Sequence, residues 1–222
     1  MINLGEEDAT KIERLTIAGP AGNLEGLLEW NPQWSPHLLA VVCHPHPLYG
    51  GTMHNKVVFR AAKAAVNAGI PVLRFNFRGV GRSQGKFADG AGERDDALAA
   101  LRYLTTRFPN IPVSMMGFSF GSVVALAVGS AESKVNSLVG MGIPVGSSDL
   151  EFLRETSKPK LIVQGTQDEF GPRQNVEELF ASLREPKRLH FVEGVDHFFT
   201  GKLAELQSTI EKFLRDMLEG LK

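Results

Sequence analysis

The feature that most constrains this chain is Gly117-Phe118-Ser119-Phe120-Gly121, because it joins two runs of different character. Upstream, residues 111–116 open on Ile111-Pro112-Val113 and read as a short buried strand. Downstream, Val123-Val124-Ala125-Leu126-Ala127-Val128 is apolar and small, and reads as a buried helix. Ser119 therefore falls where a strand turns sharply into a helix, with a glycine two residues to either side leaving room for the turn. A serine at such a tip exposes its hydroxyl, and the free N–H groups of the helix N-terminus lie behind it. This is the strand–turn–helix context that makes G-x-S-x-G a nucleophile elbow. A second match, Gly81-Arg82-Ser83-Gln84-Gly85, lacks that context. Ser83 comes several residues after the strand expected at 72–77, and Gly85-Lys86-Phe87-Ala88-Asp89-Gly90 reads as loop rather than helix. Ser119 is thus the expected nucleophile and Ser83 a loop residue.

The remaining chain alternates strands and helices. Residues 11–18 and 24–30 read as an antiparallel hairpin at a sheet edge, joined through Gly19-Pro20-Ala21-Gly22-Asn23. Leu38-Leu39-Ala40-Val41-Val42-Cys43 is continuously apolar, as in a strand covered on both faces. Helical spacing follows over 54–68, with a stop at Gly69. Further strands are expected at 72–77, 135–139, 160–164 and 187–192, and helices at 93–107, 120–129, 172–183 and 202–218. Glu93, Asp95 and Asp96 in one first turn read as helix-dipole partners and surface charges. The pattern predicts an α/β fold: a doubly wound, mostly parallel sheet with sites at the carboxyl ends of its strands. A chain of 222 residues suits one such domain, spanning 1–222.

A serine hydroxyl is a weak nucleophile at neutral pH and needs a base, which in turn needs an orienting acid. Only His190 and His197 follow Ser119. His190 lies inside the last expected strand, whereas His197 lies just past it, in Gly194-Val195-Asp196-His197, on the rim that carries Ser119. For the acid, Asp168 follows the strand Leu161-Ile162-Val163-Gln164 at the same rim; Glu169 and Asp149 are alternatives, while Asp196 would point away from its neighbour. An oxyanion hole needs two backbone donors. The N–H of Phe120 is one, and His46, in a loop where Pro45 and Pro47 lack N–H groups, is the expected second. The grouping of His44, His46 and His54 has no nearby carboxylate or second cysteine, so neither a metal nor any cofactor is expected.

These residues in this order resemble the α/β-hydrolase superfamily. The stretches His44-Pro45-His46-Pro47, Gly50-Gly51-Thr52-Met53-His54-Asn55-Lys56, Arg74-Phe75-Asn76-Phe77-Arg78 and Asp196-His197-Phe198-Phe199 look like a group of small prokaryotic hydrolases near the dienelactone hydrolases. The resemblance covers nearly the whole chain. It implies the α/β-hydrolase fold and a serine mechanism on Ser119, Asp168 and His197. It departs from the dienelactone hydrolases in having serine at the nucleophile, and from the common oxyanion motif in having Pro45 where glycine is usual.

Composition narrows the function further. A formal net charge of −1 gives no general pull toward nucleic acid or an anionic membrane. No apolar run reaches membrane-spanning length, and the acidic start containing Glu6, Glu7 and Asp8 lacks a signal-peptide core. The single cysteine, Cys43, excludes an internal disulfide and fits a cytoplasmic setting. The expected partners are a small-molecule ester and, at most, a second copy of the chain in a homodimer. Residues 140–158, where relatives commonly insert a cap, are too few to fold with a core of their own. An open, lidless site with little apolar surface is therefore expected, with a preference for acyl groups of about two to four carbons. Thioester, lactone or small-peptide hydrolysis on the same residues, a nucleotide site at Gly79-x-Gly81, and a non-catalytic binding module of the same fold are the competing readings.

A fluorophosphonate should label the protein at Ser119. Peptide mapping of the adduct checks this, and modification at Ser83 would overturn the assignment.

Overall fold

The computed structural model describes residues 10–221; the acidic start at Glu6 to Asp8 lies outside them. Eight strands form one sheet in the order β1-β2-β4-β3-β5-β6-β7-β8. The hairpin is β1 (Lys11–Gly19) and β2 (Gly22–Trp30), and β2 pairs antiparallel with β4 (Val72–Phe75). The rest is parallel: β3 (Leu39–Cys43), β5 (Val113–Phe118), β6 (Val135–Met141), β7 (Lys160–Gly165) and β8 (Lys187–Val192). After β3 the chain steps to one side for β4, then crosses back to place β5 on the other side. The order therefore reverses between β3 and β5, and in open α/β sheets the binding crevice opens at that switch point.

The period of two along a strand assigns side chains to the two layers. In β3, Leu39, Val41 and Cys43 join a core with α2 (Ala91–Arg107), α3 (Phe120–Ala131) and α5 (Arg173–Ser182). Ala40 and Val42 face the opposite layer, where α1 (Lys56–Asn67) and α6 (Leu203–Glu219) pack. Between β6 and β7 the only helix is the one-turn α4 (Phe152–Glu155), so no cap domain stands over the strand ends. Among the described residues no helix is long and apolar enough to cross a membrane.

Two strand ends differ from the sequence expectation for identifiable reasons. The strand expected at 111–116 begins at Val113, since Pro112 has no N–H to give to a ladder. The strand expected at 72–77 stops at Phe75, because the Phe77 N–H donates to the His44 ring (3.0 Å) instead of to a neighbouring strand.

The reading of Glu93 and Asp96 as surface charges is corrected. Both are fully buried, and only Asp95 is exposed. The buried stripe of α2 runs Glu93, Asp96, Ala97, Ala100, Leu101 and Leu104, so it continues through two acids that periodicity cannot tell from an exposed first turn. Glu93 caps its own helix by accepting from the N–H groups of Gly90 (2.8 Å) and Ala88 (3.0 Å). Asp96 accepts from the backbone N–H, Nε and Nη2 of Arg78 at 2.9, 2.9 and 2.8 Å. This fork fixes the start of the loop 76–90, which carries Phe87 to the His46 ring at 4.9 Å between centroids.

Removing one partner of a buried ion pair leaves the other charge uncompensated. Asp96→Ala should destabilise the fold by about 3 to 5 kcal/mol, read as a lowered denaturant midpoint, and a loss within about 0.5 kcal/mol would contradict this account.

Candidate active site

The sharp turn after β5 rests on two close approaches. A Cβ on Gly117 would lie 2.0 Å from the carbonyl oxygen of Gly121, and one on Gly121 would lie 2.3 Å from that of His44. Neither neighbour is a flexible side chain, so both positions exclude every residue but glycine. Ser119, between them, has φ 55°, a left-handed conformation that non-glycine residues rarely hold and that clusters at functional sites. It is the cap of α3, and Phe120 is that helix's first residue, so the Phe120 N–H has no carbonyl four residues back to bond.

The structure brings Ser119, His197 and Asp168 together. His197 Nε2 lies 2.9 Å from Ser119 Oγ, and Nδ1 lies 2.8 Å from Asp168 Oδ2. A carboxylate can only accept, so Nδ1 carries the proton and Nε2 presents its lone pair to the serine hydroxyl. Asp168 and His197 are 3% and 5% exposed. Phe118 and Phe170 sit against the imidazole, with centroids 4.9 and 4.7 Å away.

Asp168 is itself held from every side. Its Oδ1 accepts from the N–H groups of Phe170 (2.9 Å) and Gly171 (3.3 Å), and its Oδ2 accepts from Gln164 Nε2 (2.7 Å) as well as His197. Gln164 in turn accepts from the Ile143 N–H at 2.8 Å, tying the ends of β6 and β7 to the acid. The sequence reading missed Gln164; the available signal was a polar residue ending an otherwise apolar strand, four positions before Asp168.

The other candidates lie elsewhere. Glu169 is exposed beside Asp168. Asp149 is exposed and accepts from the Glu151 N–H (3.1 Å). His190 pairs with Glu205 (3.1 Å). Asp196 bonds forward to Thr200 and Phe198, and the Thr200 N–H leads in holding its carboxyl below the usual range. Ser83 is buried, donating to the Asn76 carbonyl (2.7 Å) and accepting from the Glu25 N–H (2.9 Å), which pins the loop to β2. That loop starts no helix before Ala91, so its glycines do not form the strand–turn–helix of a dinucleotide site. The three grouped histidines diverge: His44 is buried, His46 sits in a ring cluster, and His54 is exposed.

His44 takes a role that the sequence reading did not give it. Its Nε2 accepts from the Phe77 N–H, so its proton is on Nδ1, which donates to the Pro45 carbonyl at 2.6 Å. Pro45 C=O and His46 N–H belong to one peptide, and in a trans peptide they point in opposite directions. Holding the carbonyl on His44 therefore turns the His46 N–H away from the buried ring. Among the described residues that N–H donates to no acceptor. His46 and Phe120 both line the cavity that contains Ser119 and His197.

This cavity, about 640 Å³, is more apolar than expected: Tyr49, Phe120, Phe170 and Phe198 all line it. The sequence reading anticipated little greasy surface from the shortness of residues 140–158, and it did not count Phe170 and Phe198, which stand in loops where no periodicity says which way a ring points.

A family model described as an alpha/beta hydrolase domain matches residues 42–220. An uncharacterized protein of Rickettsia prowazekii is 38% identical over 206 residues, covering 88% of this chain and 86% of its own. Among solved structures, an alpha-beta serine hydrolase homologue from Coxiella burnetii superposes with a TM-score of 0.86. It is 36% identical over 94% of this chain and 100% of its own. A serine hydrolase without a lid from Xanthomonas campestris gives 0.85 at 34% identity, over 96% and 98%.

Burial lowers the His44 pKa from 6.5 to about 4, against a smaller opposing effect of the Pro45 carbonyl. The folded protein thus keeps this ring neutral where the unfolded chain protonates it. Between those pH values the unfolded state binds the extra proton, so stability is full above pH 6.5 and falls as pH drops toward 4. The loss should reach roughly 3 kcal/mol and be absent from His44→Gln. Denaturant midpoints of both proteins across that range check this; equal slopes would refute it.

Proposed function

This chain belongs to the alpha/beta hydrolase domain family, and we propose that it is a serine hydrolase cleaving small carboxylic esters through an acyl-enzyme on Ser119. The observation that carries this reading is the unbroken hydrogen-bonded line Asp168–His197–Ser119 at the carboxyl end of the sheet. His197 Nε2 takes the Ser119 proton as Oγ attacks the ester carbonyl. Asp168 keeps the imidazole in the required tautomer and stabilises the cation that forms. The N–H groups of Phe120 and His46 stabilise the oxyanion, His197 returns its proton to the leaving alkoxide, and a water then releases the acid by the same roles. The chain's own residues supply every group these steps need.

The likeness to the serine hydrolase homologue of Coxiella burnetii and the lidless serine hydrolase of Xanthomonas campestris, both above 30% identity, supports the serine mechanism. An esterase from Pyrococcus furiosus shares the fold at 18% identity.

Purified protein should hydrolyse p-nitrophenyl acetate. His197→Ala and Asp168→Asn should each lower kcat by about 10³ or more while the proteins remain folded by circular dichroism. Asp149→Asn and Glu169→Gln should stay within about threefold of the parent. If either of those is the more damaging change, the acid is misassigned.

A further inference from the structure

We infer that the preferred substrates are esters carrying an aromatic ring near the scissile carbonyl and no carboxylate, a conclusion that rests on the serine-hydrolase reading above. Three observations support it. The first is size. At about 640 Å³ the cavity lies within the ~300–1,000 Å³ of sites that enclose drug-sized ligands, far more than an acetyl or butyryl group fills.

The second is the character of the walls. On the oxyanion side the His46 ring packs against Phe120 at 4.8 Å and Tyr49 at 4.7 Å. On the base side Phe170 and Phe198 pack against His197 at 4.7 and 5.3 Å. Ser119 thus lies among rings supplied by three separate loops and a helix start. Tyr49, Phe170 and Phe198 remain 86%, 48% and 55% exposed, so each keeps free surface at the cavity mouth. Aromatic rings favour edge-to-face and offset contacts with such surfaces beyond the area they bury. A rigid ring also loses less freedom on binding than an alkyl chain of equal carbon count.

The third is charge. Among the described residues no Asp, Glu, Lys or Arg lines the cavity. A carboxylate on the substrate would give up hydration with no counter-charge to replace it, and would meet the negative faces of the rings. The lining discriminates by this absence as well as by its rings.

The test is a set of matched esters measured at pH about 7.5, where carboxylates are charged. Methyl phenylacetate is compared with methyl octanoate and methyl cyclohexylacetate for a ring on the acyl side. Benzyl acetate is compared with heptyl acetate for a ring on the alcohol side. On at least one side kcat/KM should favour the aromatic ester by about fivefold or more. A para-carboxylate group on methyl phenylacetate should lower kcat/KM by about tenfold or more. Phe170→Leu and Phe198→Leu keep apolar bulk but remove a ring. Each should reduce the aromatic-to-alkyl ratio by about threefold, mainly through KM; a purely structural defect would slow both substrates alike and leave the ratio unchanged. Equal or better turnover of the alkyl esters, or indifference to the added charge, would overturn the inference while fluorophosphonate labelling at Ser119 still upheld a serine hydrolase. Failure of both labelling and hydrolysis would remove both.

Discussion

The site depends on a contact between backbones. The N-terminal turn of α3 presses against the end of β3, so closely that a single methyl group at Gly121 would overlap the His44 carbonyl oxygen. The same compression occurs within the elbow, where Gly117 meets the carbonyl of Gly121. It forces Ser119 into a left-handed backbone that the surrounding packing must maintain. It also sets the first N–H of α3 beside the loop after β3, which supplies His46. The proposed nucleophile and both expected oxyanion donors therefore take their positions from one steric arrangement at the sheet's switch point.

A steric arrangement of this kind holds only if the loops around it cannot drift, and buried polar pairs do that work. Each of the charged forks among them ends on a segment near the site. Arg74 donates to Glu29 and, through Nη1, to the Met53 carbonyl at 2.8 Å. Asn76 accepts from the Met53 N–H at 2.8 Å, so a residue of β4 and the residue just past its end grip both sides of the same loop residue. Arg78 is locked to Asp96, and Asp168 is locked by four donors. Such groups contribute little net stability against well-packed apolar substitutes, but any one left unpaired is costly. That asymmetry suits them to fixing geometry.

What could be read in the sequence followed from how local each feature is. Ser119 was legible because strand, turn and helix adjoin it directly. His197 and Asp168 were legible because each lies in the loop just past a strand, and parallel strands bring such loops to one rim. Asp96 was misread since its partner Arg78 lies 18 residues away, and an acid in a first turn reads the same whether it faces water or a guanidinium. Gln164 was missed because its value lies in pairs formed with Asp168 and Ile143, contacts that no periodicity encodes. The orientation of Phe170 and Phe198 was hidden for the same reason. Loop side chains take their direction from tertiary packing, and the substrate-facing half of this site is built almost entirely from loops.

The apolar, uncharged lining also bears on the chemistry. In the proposed mechanism Ser119 gives up its proton, the imidazole becomes a cation and the carbonyl oxygen becomes an anion. In water both would be solvated. Here the cation forms between Phe118 and Phe170, with Asp168 as its bonded counter-charge. A low local dielectric strengthens that pairing, and among the described residues no competing Asp, Glu, Lys or Arg lines the cavity to divert it. The oxyanion is left to backbone dipoles already fixed in place, which need no reorganisation as charge develops. In the proposed reaction the aromatic walls would serve substrate and transition state together: they would cover an aromatic ring before the reaction and shield the charge pair from water during it.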